Sequence, residues 1–249
     1  MNKKDFKISL IFTLVGLIAG TLIVSFQIST ASEEFKNQLI SALGSVEMVI
    51  IAGAIQAAIL TFIATFFGVK LARRLNLKLY AETNKSNLIK VLLISLSTTL
   101  FITLSDKFIF SPYLPQNMVS YGFSFLYFIS SILYGGIIEE LLLRLFLMSF
   151  IGWALFKVFV RKKERETIPS WIFIVSILFA AIIFGIGHLP ITIQTIGQSP
   201  PVIIRAILLN SVAGIGLGYL YWKIGLSHAI YAHALIHVFN QLIIMPIVF

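Results

Sequence analysis

Ionisable side chains stand inside stretches that are otherwise apolar: Glu139, Glu140 and Arg144 within 121–160, His188 at the end of Phe179–His188, and His233 and His237 within 226–248. An unpaired charge at the centre of a bilayer costs roughly 2.5–3.5 kcal/mol, so three would cost on the order of 7–10 kcal/mol unless pairing or function offsets it. Glu140 and Arg144 are four residues apart, on one helical face, and can pair. Glu139 is turned about 100° away and cannot share that geometry. Two adjacent carboxylates in a low dielectric, one of them held by a guanidinium, point to divided labour: Glu140 structural, Glu139 available as a base or ligand.

His233 and His237 are also four apart, the spacing by which two imidazoles on one helix present themselves to zinc, although the glutamate of an HExxH motif is absent. Counting residues inward from the basic connections at 1.5 Å each puts Glu139, His188 and His237 at a common depth of about 20–25 Å, and His233 about 15 Å in. A lone membrane histidine is often an interhelical hydrogen-bonder, and His228, beside Ser227 near the start of its run, reads as interfacial. Asn210 and Asn240 lie at compatible depths, with interhelical bonding as their plainer role and orientation of a ligand or substrate carbonyl as the alternative. A carboxylate and several imidazoles around a wet pocket suit activation of water for attack on a carbonyl, with or without a metal.

The elements that must position these groups follow from composition. Across 249 residues, 58% are hydrophobic and 12% charged, and the mean hydropathy is +0.97, a balance that excludes a water-soluble domain and indicates a polytopic membrane protein. With no cysteine, disulfides, thiolate metal sites and a cysteine nucleophile are excluded, so any metal must use histidine and carboxylate. Apolar runs predict spans near 8–26, 48–69, 88–104, 121–160, 171–188, 202–222 and 226–248. The first run follows Lys3, Lys4 and Lys7 but is long for a secretory signal and lacks a clean cleavage site, so it reads as a retained span.

The net charge of +9 could suggest nucleic acid, but the basic residues fall in short connections and read as topology signals. Lys70, Arg73, Arg74, Lys78, Lys85 and Lys90 fill one, and Lys157, Arg161, Lys162, Lys163 and Arg165 another, whereas 27–47 carries Glu33, Glu34 and Glu47. The positive-inside rule then predicts a cytoplasmic N-terminus in a multi-pass cell-membrane protein. The run 121–160 would measure about 60 Å as one helix, twice the hydrocarbon thickness. It is therefore expected to be broken or re-entrant, with Gly135-Gly136 as the natural point. The fold class is all-α, a transmembrane bundle of about seven to eight helices forming one membrane-embedded domain over 1–249.

Glu139-Glu140-Leu-Leu-Leu-Arg144, Phe184-Gly-Ile-Gly-His188 and Ala232-His233-Ala-Leu-Ile-His237, in that order inside apolar helices, resemble the EExxxR, FxxxH and HxxxN motifs of the CAAX protease and bacteriocin-processing family, also called the Abi or Rce1-like family of intramembrane proteases. The resemblance covers roughly 121–245 and makes 121–249 the catalytic core, with 1–120 as N-terminal helices. It implies an intramembrane endopeptidase in which Glu139 and His188 activate water. His233 and His237 would form a polar clamp, Glu140 and Arg144 a brace, and Phe184 a support. His237 stands where the family has Asn, so it replaces that donor or becomes a further imidazole ligand, and Asn240, one turn on, could supply the amide. A zinc ion, if used, would be drawn from Glu139, His188, His233 and His237. The implied partners are a membrane-associated peptide or protein substrate and the lipid bilayer, with no nucleic acid.

Other readings are a non-enzymatic scaffold, a bacteriocin-immunity or signalling partner, or a proton-coupled transporter. A transporter would favour two matching broken helices, and one is expected here. Asp5 and Asp106 are the only aspartates and neither falls at a span centre, which excludes a paired-aspartate protease. Gly122-Phe-Ser124-Phe is a poor copy of a rhomboid-type serine motif.

Overall fold

The structure is a computed structural model that describes residues 3–116, 122–160 and 167–249. The basic run Arg161–Arg165, used above as a topology signal, lies outside the described residues. Among the described residues seven helices are long and apolar enough to cross a membrane, in agreement with the spans expected from the apolar runs. They are α1 (Lys3–Thr30), α3 (Val46–Arg74), α4 (Lys85–Ser105, running on in helical turns to Tyr113), α5 (Phe125–Phe159), α6 (Ser170–Gly187, continued by the short α7, Leu189–Thr195), α8 (Pro200–Lys223) and α9 (Leu226–Val248).

Charge sorts to the two ends of the bundle. At one end Asp5, near the start of α1, accepts two hydrogen bonds from Arg73, near the end of α3, at 2.7 and 2.5 Å. The Leu226 and Ser227 backbone N–H groups donate to the carbonyls of Lys78 and Leu79, both at 3.0 Å, pinning the α8–α9 turn to the loop that follows α3. Lys3, Lys7, Arg74, Lys85, Lys157 and Lys223 all belong to helix ends on this side. At the opposite end Arg205 of α8 donates to both oxygens of Asp106 at 2.6 and 2.5 Å. Asp5 and Asp106, loop-side charges by sequence, are thus each buried or half-buried against an arginine, as charges near hydrocarbon must be.

The acidic connection 27–47 holds an element that hydropathy does not flag. Helix α2 (Glu33–Leu43) starts at Ser32, whose Oγ accepts from the Phe35 N–H at 3.3 Å, and none of its residues is buried. In α1 and α3, Gly16 and Gly20 meet Ala54, Ala57 and Thr61, small residues that let two membrane helices approach closely.

The irregularity expected within 121–160 takes the form of winding and not of a gap or reversal. The backbone stays helical from Phe125 to Phe159, with π-type winding over Ser131–Glu139 and Leu141–Met148, interrupted only by Glu140. Such stretches are rare and tend to mark functional sites.

Candidate active site

Helix α5 places Glu139 and Glu140 in opposite surroundings. The Glu140 side chain is 0% exposed and its Oε1 lies 2.8 Å from Arg144 Nη1, the pair that the four-residue spacing predicts. The same Oε1 lies 2.8 Å from His233 Nδ1 on α9. This second bond, between residues 93 apart in the chain, was not legible in the motif. Arg144 lies with its guanidinium carbon 4.9 Å from the Phe184 ring centre, so the brace extends onto α6.

Glu139, 19% exposed, faces two imidazoles instead. His188 Nε2 is 3.9 Å from one of its oxygens and His233 Nε2 is 3.9 Å from the other. The partners of the far ring nitrogens fix the tautomers. His188 Nδ1 is 2.9 Å from the Phe184 carbonyl, which can only accept, so that nitrogen carries the hydrogen. His233 Nδ1 faces the Glu140 carboxylate and carries its hydrogen for the same reason. In the neutral rings both Nε2 atoms therefore present lone pairs toward Glu139. A separation of 3.9 Å is too long for a direct hydrogen bond, but a water ~2.8 Å from both members of such a pair makes an angle of roughly 90° between them.

Phe184, 4% exposed, is the hub that the resemblance assigns as a support. Its ring meets His188 edge-on at 4.7 Å and His233 at 6.0 Å. His237 lies one turn beyond, its ring stacked on His233 at 5.2 Å and 17°. Its Nε2 is buried with no hydrogen-bond partner among the described residues. A Cβ at Gly135 would come within 2.6 Å of that nitrogen, and one at Gly136 within 3.3 Å of the Ala234 backbone. The glycine pair expected to break α5 instead lets α9 come close enough for its histidines to reach the carboxylates. Depth counting had His237 level with Glu139. His233 is the one that faces it, a difference of one helical turn, about 6 Å.

A row of hydroxyls on α4 faces α9. Ser95 Oγ shares its hydrogen between the Val91 carbonyl of its own helix at 2.7 Å and the Ala232 carbonyl at 3.0 Å, Thr99 Oγ1 between the Ser95 carbonyl at 2.8 Å and the Ile236 carbonyl at 3.4 Å, and Asn240 Nδ2 donates to Thr103 Oγ1 at 3.3 Å. The three bonds between the helices join residues 137 apart, so two parallel helices are zipped in register, one hydroxyl per turn, on either side of His233 and His237. This row was missed in the sequence, although Ser95, Thr99 and Thr103 recur every four residues. Asn240 is thereby turned to α4 and not toward Glu139, an interhelical role and not the amide of the site. Asn210, expected to bond between helices, donates to the Ala206 carbonyl of its own helix at 2.8 Å. The neighbouring Ser211 makes the interhelical bond, to Ala181, at 3.1 Å. His228, in the first turn of α9, is fully buried, because the loop after α3 caps the start of that helix.

Among the described residues no group of three or more His, Asp or Glu side chains is arranged to hold a metal ion.

The described residues form a multi-pass helical bundle with a buried cluster of carboxylate and imidazole side chains. Residues 121–239, just under half of the chain, match the family described as Type II CAAX prenyl endopeptidase Rce1-like. Glu139, Glu140, Arg144, Phe184, His188, His233 and His237 all fall inside it, and Asn240 falls just beyond. Curated proteins and solved structures give no match.

Proposed function

We propose that the chain hydrolyses a peptide bond of a membrane-associated peptide or protein with a water held between Glu139, His188 and His233. The observation that carries this reading is the pair of Nε2 nitrogens, each 3.9 Å from a different oxygen of Glu139. Water has two hydrogens for these three acceptors. One hydrogen goes to Glu139, which takes it as general base while the oxygen attacks the substrate carbonyl. The other is held by an imidazole, and the acceptor left over is where the travelling proton can rest before it passes to the departing amine. Positive charge on His233 at that stage is opposed by Glu140 at Nδ1, a preorganised partner.

Glu140 and Arg144 act here as a brace that orients His233. A zinc ion, if the protein uses one, would be drawn from Glu139, His188 and His233, but the donors as arranged do not form a ligand set, and no step above passes through a metal. The basic end of the bundle, with Lys3, Lys7, Lys70 and Lys223, supports a cytoplasmic N-terminus.

The test is peptide cleavage by purified full-length protein reconstituted in vesicles. Glu139→Gln and His188→Ala should each reduce turnover by roughly 10²–10⁴-fold with the melting temperature unchanged. Cleavage by Glu139→Gln at the parent rate would refute the mechanism.

A further inference from the structure

Helix α6 ends at His188 because Pro190 has no N–H to give the Ile186 carbonyl. The short α7 that follows is tied back by the Thr192 N–H, which donates to the His188 carbonyl at 3.0 Å. Ile191 and Gln194 of α7, Gln27 and Ile28 of α1, and Phe35 and Leu39 of α2 border a groove of about 100 Å³. This gives α2 a task. None of its residues is buried, yet Phe35 and Leu39, four apart and so on one helical face, both turn to the groove.

The groove lies where α1 ends and α3 begins, at the face opposite the basic one. Ile191 is three residues, about 5 Å of helix, from His188. The site is not sealed on that side: a Cβ on Gly187 would meet nothing within 4 Å, and the His188 and Glu139 side chains are 29% and 19% exposed. The hydroxyls in the lining are engaged, since Ser32 Oγ accepts from the Phe35 N–H and Thr195 Oγ1 donates to the Ile191 carbonyl at 2.8 Å. The carboxamides of Gln27 and Gln194, on different helices, make no hydrogen bond among the described residues. Each offers both a donor and an acceptor, which a peptide group matches and an acyl chain does not. The rim is acidic as well: over 27–49, Glu33, Glu34 and Glu47 stand against Lys36 alone, a net charge of −2, and α7 carries no charge.

We propose that this groove receives the substrate, as an extended peptide segment next to the bond to be cut. Gln27 and Gln194 hold its backbone, one apolar side chain inserts against Ile28, Phe35 and Leu39, and a basic residue meets the acidic rim. The volume suits one side chain, being below the ~150 Å³ in which a benzene ring fits. The assignment rests on the peptidase reading above and names its substrate class: a membrane peptide cut near the face opposite the basic one, with a cationic flank on that side.

The experiment reads binding apart from turnover. Full-length Glu139→Gln protein in neutral detergent is titrated with a fluorescent synthetic peptide that has a leucine-rich membrane segment and an extended tail carrying lysine, or with its twin carrying glutamate there, and folding is checked by melting. The lysine tail should bind roughly five-fold more tightly than the glutamate tail, and Glu34→Gln or high salt should narrow the difference. Gln27→Leu and Gln194→Leu should each weaken binding of the lysine peptide roughly five-fold and together about twenty-five-fold, while Gln38→Leu, a carboxamide of α2 outside the lining, leaves it unchanged. The proposal is overturned by a double variant that binds within about twofold of the parent, by an equal loss in Gln38→Leu, by equal binding of the two tails, or by displacement of the peptide with palmitate. A peptide that binds as expected but survives the parent protein would refute the hydrolysis and leave the groove, whereas cleavage untouched by the double variant would refute the groove and leave the hydrolysis.

Discussion

Glu139 and Glu140 are neighbours of one residue type on one helix, yet one sits in a slack, 19% exposed gap bordered by imidazoles at 3.9 Å, and the other is sealed at 0% exposure with two partners at 2.8 Å. The difference shows how one helix can hold two adjacent acids in unlike surroundings. The sealed carboxylate spends its charge on an arginine and a histidine and fixes where that histidine points. The open one is then faced by the same histidine's other nitrogen, so His233 links brace to gap. Rigidity at Glu140 is what allows looseness at Glu139.

That comparison can be broken from the sealed side first. Glu140→Ala leaves Arg144 as an unpaired buried cation and frees His233, and should cost about 3–5 kcal/mol of stability, read by unfolding in detergent. A loss of less than about 1 kcal/mol would mean that the brace is ornamental. Next, Gly135→Ala forces a methyl against His237 Nε2 and should cost about 1–3 kcal/mol and slow cleavage. Combining it with His237→Ala should recover most of the stability, a coupling measured by the double-mutant cycle. The smallest expected effect is on the hydroxyl row: Thr99→Val should cost about 0.6 kcal/mol, while Thr99→Ser retains the bond. If Thr99→Val slows turnover more than it lowers stability, the row sets the height of the histidines and does more than hold two helices together.

How much of this was legible in the sequence depends on the range of each signal. The spans were, because a long apolar run is a local property and the bilayer allows one answer to it. The Glu140–Arg144 pair was, because it closes within one turn. Helix α2 was not, since eleven mixed residues carry no span-length hydropathy. The π winding of α5 was read as a break because Gly135-Gly136 marks weak backbone without saying how the chain uses it. The bond from His233 to Glu140 and the facing of His233 with Glu139 depend on how α9 is set against α5. A count along each helix resolves that only to within a turn, and His233 and His237 differ by one turn. Asn240 looked available to the site because Thr103, which claims it, lies on a helix without a motif.

The account stands on Glu139 and Glu140 doing different jobs, and one paired measurement addresses that directly: melting temperature and peptide turnover for Glu139→Gln and Glu140→Gln, side by side, in the same vesicles. Glu139→Gln should keep the parent melting temperature and lose turnover by roughly 10²–10⁴-fold, while Glu140→Gln should melt earlier and lose turnover only as far as His233 is misplaced. The opposite pattern, with Glu139→Gln still cleaving or Glu140→Gln as stable as the parent, would contradict it.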